Sequence, residues 1–212
     1  MTNPINPANV LVPQRPLRAA LPLIRFFEAV NWGPKHIRRD KIDLIVLHCM
    51  ESADESLDRA ERSALWMAGK NPKFPPPRSS AHYFVDPDSI VQGVLDEWIA
   101  WHAPGANRQG IGIEHAGKAK QTETEWLDEA GIAMLDLSTQ LTARLCQRWN
   151  IPTVYLEAPA LLAGQRGITT HRQVTLAWKK GSHMDPGPSF PIGYYMARVN
   201  AYAEQETRFR EA

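Results

Sequence analysis

Cysteine is scarce in this chain. Cys49 and Cys146 are the only two in 212 residues, too few for a disulfide framework. Neither fits the spacing of a cysteine-rich zinc site; Cys49 follows a strand and Cys146 lies in a helix, so both read as reduced core residues. An excess of one charge is also lacking: the formal net charge is +1, and nothing global points to nucleic acid as a partner. No run of about eighteen apolar residues occurs, so no helical membrane span or stable insertion is expected. The apolar patches between Val10 and Val30 are broken by Pro13, Arg15, Pro16, Arg18, Pro22 and Arg25. No signal-peptide core survives that, and synthesis in the cytoplasm is expected. Internal repeats and low-complexity tracts are absent.

What is present suffices for one well-buried domain. Residues 1–22 hold five prolines and little periodicity, which reads as an irregular leader. Residues 1–41 carry seven Arg and Lys against Glu28 and Asp40, a local excess that reads as a solvated arm and, alternatively, as attraction to an anionic envelope. Leu23 to Trp32 is expected as a short helix or strand on the domain edge. Ile42 to His48 is nearly continuous β-branched and aliphatic sequence, the pattern of a strand buried on both faces. A helix should follow, with Ser52 and Glu55 as a capping box and Leu57, Ala60, Ala64, Leu65 and Met67 at helical spacing, ended by Gly69. Asn71 to Ser80, with four prolines, must be loop. Ala81–Val85 and Ile90–Val94 read as strands around the turn Asp86-Pro87-Asp88-Ser89.

Gly110 to Glu114 is the most informative strand. With a period of two, Ile111 and Ile113 face the core, while Gly110, Gly112 and Glu114 face the other way. A strand face stripped to glycine implies that a ligand or another backbone comes close. Thr122 and Glu125 form a second capping box, expected to open one long helix whose stripe is Trp126, Ala130, Ala133, Met134, Leu137, Leu141 and Leu145. Asn150-Ile151-Pro152 stops it, Thr153–Leu156 suggests a short strand, and Gly193–Arg208 a final helix. These elements predict an α/β fold: a single domain around a central mixed sheet flanked by helices. The boundaries are an N-terminal arm over 1–40, a catalytic domain over 41–200 and a tail over 201–212. A monomer is the expected state.

Among seven histidines, His36 reads as exposed and idle, His115 as a satisfied core residue and His82 as a structural hydrogen-bonding residue. His102, on a loop beside Trp101, reads equally as pocket lining or as structural. His48 stands at the mouth of the buried strand. His171 and, fourteen positions later, Asp185 lie in a restrained distant loop, Pro186 holding Asp185 out of helical conformation. Singly, His48 and His171 read as structural; with Asp185 and the Glu114 strand they read as a metal centre in a surface cleft. Three protein ligands with a fourth place open is the arrangement of a catalytic zinc, one ion per chain.

Five motifs occur in a telling order: Ile42 to Glu51, Ser80-Ala81-His82-Tyr83, Ala100-Trp101-His102-Ala103, Ile111-Gly112-Ile113-Glu114 and His183-Met184-Asp185-Pro186-Gly187-Pro188. Together they resemble the type 2 N-acetylmuramoyl-L-alanine amidases, the zinc family that includes peptidoglycan recognition proteins. The stretch Trp101 to Asn107 with Ile113 to Gly117 looks closest to phage endolysin amidase domains. The resemblance covers about residues 40–200. It implies zinc on His48, His171 and Asp185, Glu114 as catalytic base, and Trp101, His102 and Asn107 as substrate contacts. Relatives often place a lysine two residues before the last ligand; here His183 stands there, and its imidazolium would stabilise the oxyanion, bringing a pH limit that lysine would not. The implied substrate is bacterial peptidoglycan, cut between N-acetylmuramic acid and L-alanine of the stem peptide, so the enzyme would act on the cell wall as an endolysin does, with the glycine face leaving room for an extended glycopeptide. The alternatives are an inactive recognition module and a cytoplasmic enzyme recycling soluble muropeptides.

Overall fold

The apolar run beginning at Ile42 forms a strand at the heart of the sheet, and every residue of it is buried. The computed structural model describes residues 16–18, 20–34, 41–53 and 57–211, with side chains as far as 208. His36 and Glu55 lie outside the described residues. In chain order the elements are β1 (Arg25–Phe26), β2 (Leu44–Cys49), α1 (Arg59–Met67), β3 (Tyr83–Val85), β4 (Ile90–Gln92) and β5 (Gly110–His115). Then come α2 (Glu123–Trp126), α3 (Glu129–Arg148), α4 (Ala158–Leu162), β6 (Gly167–Thr170), α5 (His171–Trp178) and α6 (Ile192–Glu211). The strands form one six-stranded sheet in the order β1-β4-β3-β5-β2-β6. Only β3 and β4 run antiparallel, so the sheet is mixed, as expected.

Alternation along β2 divides the core. Ile45, Leu47 and Cys49 pack with Ile111 and Ile113 against α3 and α6. Leu44 and Val46 face the other way, with Val174 and Ala177 of α5, Leu161 of α4, and Ala103 and Ala106 of the preceding loop. Ala60 and Ala64 of α1 cover Phe84 and Val91 on that same second face. Three layers result, and the second face is split between α1 at one end and α4 and α5 at the other. The gap between them is the cleft described below.

Several local expectations shift. The Thr122–Glu125 capping box forms, but it closes only the single turn α2. Asp128 then caps α3 afresh by accepting a hydrogen bond from Gly131 N–H, so the chain bends where a continuous helix was expected. Asp58, not Ser52, stands at the start of α1, leaving Leu57 before the helix. Thr153–Leu156 contributes only a bridge, Tyr155 to Ile168, because the chain turns at once into α4. Gly167–Thr170, expected as part of a loop, is edge strand β6. Its residues follow no period-two polarity, since both faces are buried. Of the N-terminal arm, Arg25–Phe26 pairs with β4, Ala29 and Trp32 are buried, and Trp32 stacks on Trp98 with centroids 4.2 Å apart. The last helix runs through the residues expected as a tail. Among the described residues, no helix is long and apolar enough to cross a membrane.

Candidate metal centre and catalytic cleft

Three adjacent parallel strands deliver the site from their carboxyl ends, where open α/β sheets place ligands. His48 ends β2, and its register partner on β5 is Glu114. On the other side β6 pairs with β2 up to Thr170 opposite Leu47, so His171 emerges beside His48. His171 is therefore the first residue of a helix rather than a loop residue. Thr170 fixes that start by accepting from Gln173 N–H. After α5 the left-handed Lys179 (φ 52°) turns the chain back, and Arg172 N–H donates to the Asp185 carbonyl over 3.0 Å. That backbone bond ties the Asp185 loop to the first turn of α5.

The Asp185 carboxylate meets both imidazoles. His48 Nδ1 lies 2.9 Å from Oδ2, and His171 Nδ1 lies 3.1 Å from Oδ1. One donor atom from each of His48, His171 and Asp185 falls within 4.8 Å of the others. Burial would raise the Asp185 carboxyl, but the facing imidazoles of His171 and His48 outweigh it and hold it far below the usual carboxylate range. Burial pushes His48 down despite that carboxylate, which favours the neutral ring whose lone pair can bind a metal. Two imidazoles and one carboxylate suit zinc, and these three donors among the described residues would leave a further position for water or substrate. The residues fit a catalytic metal.

Glu114 completes the chemistry. Its Oε2 is buried without a hydrogen-bond partner. Burial first, then the Asp185 and Glu51 carboxylates, push its carboxyl well above the ordinary range, a direction that would suit a general base. Glu51 reaches the site because β2 ends in a turn where Glu51 adopts φ 50°. It accepts from Ala119 N–H, and sequence reasoning assigned it no role. The cleft has a volume of about 400 Å³ and is lined by His48, Glu51, Glu114, His171, His183 and Asp185 among others.

His183 lies at its mouth. Its side chain is 54% exposed and stacks on His171, centroids 4.1 Å apart. His102 is buried against His48. Trp101 and Asn107 are not among the residues lining the cleft. Trp101 is 40% exposed, its indole N–H donating to the Gly33 carbonyl. Asn107 Oδ1 accepts from the backbone N–H of His102 and Ala103, shaping the loop. The glycine face is filled by the chain itself: a Cβ on Gly112 would lie 2.7 Å from His102 Cγ. The expected room for a ligand there is taken up by an imidazole.

Outside the cleft, His82 and His115 have the structural roles expected. His115 is buried between the His48 carbonyl (2.8 Å) and Ser138 Oγ (2.6 Å). Burial pushes its pKa down to about 4. The unfolded chain takes up this proton near pH 6.5 and the folded chain only near 4, so its contribution is intact above pH 6.5 and drains away as pH falls towards 4. The loss is on the order of 3 kcal/mol. The melting temperature of the wild type is therefore expected to fall between pH 7 and 4.5 more steeply than that of His115→Gln.

The fold and site define a class of α/β proteins with a mixed sheet and a His-His-Asp group that could hold a metal ion at the carboxyl ends of its strands. Residues 38–188 match the family model described as N-acetylmuramoyl-L-alanine amidase, and the chain belongs to that family of enzymes. It is 26% identical over 195 residues to N-acetylmuramoyl-L-alanine amidase A of Achromobacter lyticus, covering 84% of this chain and 96% of that one. Among solved structures it resembles the Staphylococcus aureus hydrolase AmiA in complex with its ligand (TM-score 0.62, 17% identity, 89% and 86% coverage). It also resembles the N-acetylmuramoyl-L-alanine amidase LysC from Clostridium intestinale URNW (TM-score 0.52, 17% identity, 84% and 98% coverage). At such identities these two support the fold.

Proposed function

We propose that this protein is a zinc-dependent amidase that hydrolyses the bond between the lactyl group of N-acetylmuramic acid and L-alanine in peptidoglycan, and that it acts on the bacterial wall as an endolysin. The observation that carries the reading is Glu114, whose buried Oε2 has no hydrogen-bond partner, at the same level of the sheet as His48, beside His171 and Asp185. A structural metal centre would give that carboxylate no task, and an inactive recognition module would have no need to bury it.

When bound, zinc polarises the scissile carbonyl and lowers the pKa of attacking water. Glu114, whose burial and carboxylate neighbours raise its affinity for a proton, takes the water proton and passes it to the departing alanine nitrogen. His183, exposed at the mouth and braced on His171, donates a hydrogen bond to the oxygen that gains charge. Trp101 offers an exposed ring for the substrate beyond the cleft.

Incubation with purified sacculi, read by mass spectrometry, tests the reading. The expected products are intact glycan strands and free stem peptides beginning with L-alanine, lost on chelation and restored by zinc. Zinc-loaded protein that binds sacculi without cutting them would be a recognition module. Cleavage restricted to soluble muropeptides would place the enzyme in recycling instead of lysis.

A further inference from the structure

The glycine face of β5 holds a chain of imidazoles, and the proton positions along it follow from a backbone carbonyl. His102 Nε2 lies 3.2 Å from the Gly110 carbonyl oxygen. A carbonyl only accepts, so the His102 proton sits on Nε2 and its Nδ1 is left with a lone pair. That Nδ1 lies 3.0 Å from His48 Nε2. His48 must then carry a proton on Nε2, and in the neutral ring this leaves Nδ1, the nitrogen facing Asp185 at 2.9 Å, as a lone pair. Two acceptors at that separation repel unless a cation lies against both.

We propose that His102 is a positioning residue for the metal centre: by accepting from His48 Nε2–H it fixes the tautomer and ring angle of His48, so that Nδ1 is the ligating atom. The inference rests on the metal-centre reading above. It accounts for the glycines, since any Cβ at Gly112 would strike the His102 ring at 2.7 Å and one at Gly110 would come within 3.3 Å of its Cε1. It also accounts for His82. Gly112 N–H donates to His82 Nδ1 over 3.0 Å, which puts the His82 proton on Nε2, facing the Trp98 carbonyl at 3.0 Å. The His82 ring then meets His102 edge-on, centroids 5.5 Å apart, and Asn107 pins the backbone from which His102 projects. His171 has no such support, for its Nε2 is buried without a partner. The two imidazole ligands are therefore unequal, and His48 is the anchored one.

Outer partners of ligating imidazoles contribute about 10–100-fold to metal affinity. Zinc dissociation constants, measured by competition with a chromophoric chelator, should rise by roughly that factor in His102→Ala. His102→Asn, whose Oδ1 overlies the lost Nδ1 as an acceptor, should recover most of it. Gly112→Ala, which keeps the imidazole but displaces it, should resemble His102→Ala. Nitrogen-15 spectra of the zinc-loaded wild type should show both His48 and His102 protonated at Nε2. Failure of the wild type to bind zinc would overturn the metal-centre reading itself. Wild-type binding with an unchanged constant in His102→Ala, or a His102 proton on Nδ1, would overturn this inference alone. Should the variants fail to fold, the wild-type spectra decide.

Discussion

Glu114→Gln is expected to lower kcat/KM on peptidoglycan by roughly 10²–10⁴-fold, the contribution of a positioned general base, with zinc content and fold intact. The amide keeps the shape of the carboxyl and cannot take a proton. Its effect on stability should run opposite to that of most buried substitutions. Glu114 is pressed by burial and by the Asp185 and Glu51 carboxylates, so removing its charge relieves a cost, and the melting temperature should hold or rise. That pairing separates catalysis from folding, because a misfolded protein would lose both together. Bound zinc measured by mass spectrometry alongside the assay completes the test. Undiminished cleavage would remove Glu114 from the mechanism.

Asp185→Asn is expected to abolish activity by a different route. It removes the anion on which His48 and His171 converge and leaves a neutral amide that is a poor zinc donor. Affinity should fall by more than the roughly 100-fold that an outer partner is worth. Zinc at about 1,000 times the wild-type Kd should stabilise the wild type by about 4 kcal/mol and the variant by little. Thermal melts with and without chelator read this directly. Equal zinc-induced stabilisation in both proteins would exclude Asp185 as a ligand.

The central strand is legible because both of its faces are buried and it opens on the aliphatic run Leu44-Ile45-Val46-Leu47. The turn at Asp86 was legible from residue chemistry: its Oδ1 accepts from Ser89 N–H and hydroxyl. The donors His48, His171 and Asp185 were readable once seen as a set, and the structure brings them together. β6 and the helical start at His171 were hidden, because a four-residue strand of Gly, Ile and two Thr has too short a pattern to declare itself and gains its order from pairing with β2. The break between α2 and α3 is hidden in the sequence because two capping residues six apart, Thr122 and Asp128, each suit a helix start, and periodicity runs smoothly through both. The glycines of β5 announced a close approach correctly in kind. They do not show that the approaching group is His102, which lies in a loop whose path depends on Asn107.

The donors of the centre are drawn from segments 137 residues apart in the chain, His48 and Asp185. An ion held across that span can be bound only when strand β2, the β6–α5 junction and the returning loop are all in place at once. It cannot organise a local fragment as the ion of a zinc finger does. Metal occupancy would therefore report the integrity of nearly the whole enzyme, and a truncated or proteolytically nicked chain should release a bound metal before it loses its helices.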